Sequence, residues 1–122
     1  MAKVTGLGGI FFKSRDPVAL SAWYAEHLGL DVEEWGGVRF SEDEQRAGYA
    51  LWSPFAADTQ YFAPSTQPYM INFRVDDLDA LLAQLRAAGV VVDERVDQSE
   101  FGRFGWIMDP EGSRIELWQP PA

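Results

Sequence analysis

The same ordered set of signals occurs twice along the chain. In the first half an apolar run over 9–13 is followed by Asp16-Pro17, then by Leu20, Trp23, Tyr24 and Leu28, then by Gly29. In the second half a run over 70–75 is followed by Asp76-Asp77, then by Leu78, Leu81, Leu82 and Leu85, then by Gly89. Asp accepts hydrogen bonds from the free amides of a helix start, and Pro suits the first helical position. Glycine takes the left-handed conformation that stops a helix. Apolar residues three and four apart between these signals predict one helix in each half. Short strand candidates follow each helix, at 38–40, 49–52 and 59–62 and again at 90–95, 104–108 and 113–118. The turn at Ser53-Pro54 has its counterpart at Asp109-Pro110, within Asp109-Pro110-Glu111-Gly112.

Each half therefore reads β-α-β-β-β. A module of this size is marginal alone and can pair with its twin to share a sheet. The expected fold is α+β: two tandem βαβββ modules, over 7–64 and 68–120, forming a curved mixed sheet around a cup. The whole of 1–122 is one domain.

Strand alternation assigns the faces. Ile71, Phe73, Val75, Ile115 and Leu117 suit the helix-covered side, and so do Ile10 and Phe12. Gly9, Phe11, Lys13, Met70, Asn72, Arg74, Arg114, Glu116 and Trp118 then share the other. Charged groups mixed with rings on one sheet face describe a partly polar ligand cavity better than a core.

Composition agrees. The chain has 122 residues with five Trp and eight Phe, more rings than a standard core of this size absorbs. Trp52, Tyr61, Trp106 and Trp118, on strands or strand ends, are candidates for the cup or for a subunit interface. Trp23 and Tyr24, at helical spacing, suit the core. The net charge of -9 disfavours nucleic acid and anionic membrane; it would attract a cationic ligand, and equally serves solubility. There are no cysteines, which excludes thiolate sites and disulfides. No apolar stretch approaches the roughly 18 residues of a membrane span. The opening residues lack a secretory signal's apolar run, so the expectation is a cytoplasmic protein.

The string GGIFFKSRDPVALSAWYAEHLGL resembles the opening of the vicinal oxygen chelate superfamily, which includes glyoxalase I, bleomycin- and fosfomycin-resistance proteins and extradiol dioxygenases. INFRVDDLDALLAQLRAAGV resembles the start of that family's second module. DPEGSRIELWQP resembles its closing strand, Asp-Pro-x-Gly-x-x-x-Glu-Leu. The resemblance spans residues 7–120. It implies a homodimer, and in many members a divalent metal held by His or Gln, Glu, His and Glu. The positions matching those ligands here are Gly9, Gln60, Met70 and Glu116. Glycine offers no side chain, and a thioether is unsuited to hard cations. The expectation is a protein without the family's metal.

Three functions stay open at this point. One is a metal-free binder of a small molecule, using the aromatic cup and Glu116; bleomycin-resistance proteins suggest a cationic planar ligand. Another is a metal-dependent glyoxalase-like lyase or isomerase. The third is a metal-free enzyme with Glu116 as the catalytic base. Residues expected at the ligand are Phe11, Lys13, Trp52, Gln60, Met70, Asn72, Arg74, Trp106, Arg114 and Trp118. Glu116 reads equally as a base, an anchor for a cation, or the ion-pair partner of Arg74 or Arg114. Phe101-Gly102-Arg103 reads as a flap over the cup or as a plain surface loop.

Overall fold

The computed structural model describes residue 7, residues 9–41 and residues 48–122. The bounds 7–64 expected for the first module take in stretches outside the described residues. Among the described residues two helices and four strands are formed. Helix α1 is Pro17–Leu28, capped by the Asp16 carboxylate on the Ala19 amide at 3.1 Å and closed by Gly29 at φ 70°. Helix α2 is Leu78–Ala87, capped in the same way by Asp77 on Ala80 at 3.1 Å. The strands are β1 Ile71–Arg74, β2 Asp97–Ser99, β3 Gly102–Met108 and β4 Arg114–Gln119.

The sheet runs β1-β4-β3-β2. Strand β1 lies parallel to β4, and the other pairings are antiparallel. This is the expected α+β fold with a mixed, unclosed sheet. The helices cover one face. Leu78, Leu82 and Leu85, at the spacing of one helical stripe, bury against Ile71, Ile107, Ile115 and Leu117. Leu20 and Tyr24 of α1 join the same core. Gly105 of β3 lies directly under α2: a Cβ there would stand 3.1 Å from Leu82 Cδ1.

The strand expectations differ in outcome between the halves. Those at 70–75, 104–108 and 113–118 match β1, β3 and β4. The run 90–95 makes one bridge, Val92 to Ile107, and pairing resumes only at β2. Asp93 causes the break: its carboxylate turns back onto the Arg95 amide at 2.9 Å, a local bond that competes with the ladder. In the first half the segments 9–13, 38–40, 49–52 and 59–62 form no strand. Thr59 and Ala63 there donate to the Ala56 and Gln60 carbonyls. Alternation records which side chains suit a wet or a dry face; a ladder also needs a free sheet edge within reach.

The two halves are joined at the Asp109 turn. Asp109 Oδ1 accepts from the Glu111 and Ser113 amides, both at 2.9 Å, and Oδ2 from the Tyr24 hydroxyl at 2.7 Å. Burial, then the bond to Asp109, pushes the Tyr24 phenol far above its usual range. Glu111 holds the loop before α1 through Ser14 Oγ at 2.7 Å and the Arg15 amide at 3.0 Å.

The Ser14 hydroxyl, followed by the Arg15 amide, holds the Glu111 carboxyl below the ordinary glutamate range. A depressed folded-state pKa adds stability at neutral pH that is lost as pH falls through that value. The Arg15 and Asp16 amide resonances should therefore titrate together below the usual glutamate midpoint. A midpoint at the ordinary glutamate value, or none, would show that this contact is not made in solution.

Candidate functional site: the Glu116 face

Alternation along β4 turns Ile115 and Leu117 toward the helices and Glu116 away from them. Register then places Asn72 of β1 on one side of Glu116 and Trp106 of β3 on the other. Three donors converge on its carboxylate. Trp106 Nε1 donates to Oε2 at 2.9 Å, Asn72 Nδ2 to Oε1 at 2.7 Å, and the Tyr61 hydroxyl to Oε2 at 2.5 Å. Glu116 is 8% exposed and Trp106 1%. A carboxylate this buried is tolerated because hydrogen bonds to it replace water.

Tyr61 is the one donor that does not come from the sheet. Its ring meets Trp106 edge-on, with centroids 6.2 Å apart, and stacks on Phe55 at 5.5 Å. Burial first, then the bond to Glu116, raises its phenol pKa well above the usual value. The Trp106 ring carries two guanidiniums, Arg95 at 5.1 Å and Arg114 at 5.2 Å from its centroid. Each has its own carboxylate: Arg95 pairs with Asp97 at 2.6 Å and Arg114 with Asp93 at 3.3 Å. The Arg95 amide, with further help from Arg114, lowers the Asp93 pKa.

Next along β4, Trp118 stacks on Phe104, with planes 9° apart, and meets Tyr49 at 5.0 Å. Its Nε1 donates to the Phe101 carbonyl at 2.7 Å. Gly102 opens β3 at φ 118°, and a Cβ there would stand 2.3 Å from the Gln119 carbonyl. The Trp118 indole and the pairing of Arg103 with Gln119 thus tie the stretch 101–103 to β4.

The structure brings Glu116, Asn72, Trp106, Arg114 and Trp118 onto one face, with Arg74 opposite Trp118. It does not bring Phe11, which is 97% exposed, or Trp52, 81% exposed, into contact with that group. Lys13 is exposed and Met70 half-buried just before β1. Arg114 pairs with Asp93 and not with Glu116. Gln60 is exposed and reaches only the Asp58 carbonyl, at 3.5 Å. Tyr61, its neighbour, is the residue that arrives at Glu116. Its ring among the strand-end aromatics was the available signal. The contacts of Asp93, Asp97 and Arg95 around Trp106 had none, because they depend on how the 93–97 segment folds back.

The donor set does not suit a hard divalent cation. Gly9 has no side-chain ligand atom, Gln60 turns its amide to the Asp58 carbonyl and Met70 offers sulfur. The groups facing Glu116 donate hydrogen bonds to it and bring no second carboxylate or imidazole for a metal ion. Among the described residues no three His, Cys, Asp or Glu side chains are arranged to hold a metal. A separate cleft of about 220 Å³ lies on the helix side of the sheet, lined by Leu28, Val38, Phe40, Phe73, Val75 and Leu81 among others. Its lining also carries Asp31, Arg39 and Arg74, and it does not include Glu116. No helix among the described residues is long and apolar enough to cross a membrane.

A sequence-family model described as a glyoxalase-like domain matches residues 9–118. No curated protein matches the chain. An antibiotic-binding protein, TnmS3, from Streptomyces sp. CB03234 aligns at 25% identity over 84% of each chain, with a TM-score of 0.52. A glyoxylase/bleomycin resistance protein/dioxygenase domain from Frankia sp. EAN1pec aligns at 20% identity over 98% of this chain and all of its own, 100%, with a TM-score of 0.58. A glyoxalase/bleomycin resistance protein from Streptomyces sp. CB03234 aligns at 39% identity. That match spans only 40% of this chain and 42% of the other, with a TM-score of 0.37.

Proposed function

The chain belongs to the family of glyoxalase-like domains, and from that premise we propose that it binds a small flat aromatic molecule whose cationic group rests on Glu116. The observation that carries this reading is the Glu116 carboxylate, buried among rings and held in place by Asn72 and Trp106. A carboxylate bordered by aromatic rings attracts a cation more strongly than one surrounded by water. The net charge of -9 adds long-range attraction. The likeness to an antibiotic-binding protein supports small-molecule binding.

The reading is of a binder that works without a metal. The other positions that match the family's ligands, Gly9, Gln60 and Met70, add no carboxylate or imidazole to Glu116, which favours an organic cation over a metal ion. Its three hydrogen-bond donors crowd the oxygens that a general base would need free. The reading includes a homodimer, in which a second copy covers the apolar side chains that Phe11, Leu51 and Trp52 expose.

Calorimetric titration with benzamidine, charged at neutral pH, and with its neutral isostere benzamide tests the proposal. Benzamidine should bind saturably at one per site and benzamide should not, and elemental analysis should find no stoichiometric divalent metal. Equal binding of the two, no binding of either, or one metal per chain would contradict it.

A further inference from the structure

Glu116 already has a partner standing where a ligand's charge would go. Of its three donors, Asn72 and Trp106 are fixed by strand register, whereas Tyr61 comes from the irregular 55–62 segment and is 36% exposed. Tyr61 and Trp106 both donate to Oε2. Trp106 lies beneath two guanidiniums and cannot yield without disrupting β3; the phenol can swing out on its own segment. We infer that Tyr61 is an internal competitor for Glu116, and that the ligand must displace its hydroxyl from Oε2.

This inference rests on the function proposed above and adds a specificity rule. The incoming group must replace an O–H donor, so it has to carry N–H bonds: an amidinium, a guanidinium or a protonated amine. A quaternary ammonium brings the same charge but no proton, and leaves Oε2 short of the bond that it loses. The rings of Phe55 and Tyr61, stacked at 5.5 Å, give the displaced segment an apolar face to lay along a flat ligand.

The test compares benzamidine with phenyltrimethylammonium, on the wild-type chain and on Tyr61→Phe. The variant keeps the ring, with its contacts to Phe55 and Trp106, and circular dichroism checks the fold. The wild type should favour benzamidine by about tenfold, the effect of one net hydrogen bond. In Tyr61→Phe, benzamidine should bind about three- to tenfold more tightly, because no hydroxyl has to leave. Unchanged or weaker benzamidine binding in the variant would overturn the inference, and so would equal wild-type affinity for the two cations. Both results leave the cationic-ligand reading standing. If neither cation binds either protein, that reading fails and this inference fails with it.

Discussion

Glu116→Gln should abolish most of the affinity for benzamidine while leaving the fold intact. The amide is nearly isosteric and can still accept from Trp106 Nε1, the donor at 2.9 Å. Asn72 can rotate its own amide to present oxygen to the new NH₂ group. What disappears is the charge. A charge-assisted hydrogen bond contributes about 1.5–3 kcal/mol, so the loss should be roughly 10- to 100-fold in dissociation constant. The thermal midpoint should hold or rise, because a buried charge is removed. Calorimetry with benzamidine checks the first part and a thermal melt the second. Undiminished binding would reduce Glu116 to a structural acceptor for Tyr61, Asn72 and Trp106.

Leu78→Ala should cause a large loss of stability with no change in the Glu116 face. Leu78 is 0% exposed and belongs to the core between α2 and the sheet. Its Cδ1 would be 3.5 Å from a Cβ at Gly105, so the side chain lies close over the glycine of β3. Glycine has no side chain to move into the gap, and a cavity should persist. The expected cost is about 3 kcal/mol, within the usual range for buried leucines. In a domain of this size that lowers the melting temperature by roughly 10 °C. Urea denaturation of the variant beside Phe11→Ala is the check. Phe11 is almost wholly exposed, and its truncation should be near neutral in a dilute, monomeric sample. A neutral Leu78→Ala would mean that α2 does not pack on β3 through this leucine.

The second half of the fold was legible because its signals are local and consistent. Asp77, the leucines at 78, 82 and 85, and the alternation in 70–75 and 113–118 each point to the element that forms. The same alternation placed Glu116 on the face away from the helices, together with Asn72 and Arg114. The first half carried comparable patterns, but among its described residues only the helix forms. Strand pairing is non-local: nothing in 9–13 or 49–52 states which edge they would join or whether that edge is free.

The bond from Tyr24 to Asp109 was hidden for the same reason, since it joins residues 85 positions apart. At the site, one position decided the outcome. The resemblance points to Gln60, yet 59–62 is not a strand. The side chain that reaches Glu116 from this segment is that of its neighbour, Tyr61.

The most direct test of the Glu116 face is the benzamidine titration followed by NMR on the wild-type chain. The five Trp indole protons report from separate places, and the Asn72 side-chain amide reports from the carboxylate itself. With the cation seated on Glu116, the Trp106 indole and Asn72 amide signals should move together with saturation, while Trp23 and Trp35 stay still. Movement confined to Trp23 or Trp35, with Trp106 and Asn72 unmoved, would place the ligand elsewhere and contradict a binding site at Glu116.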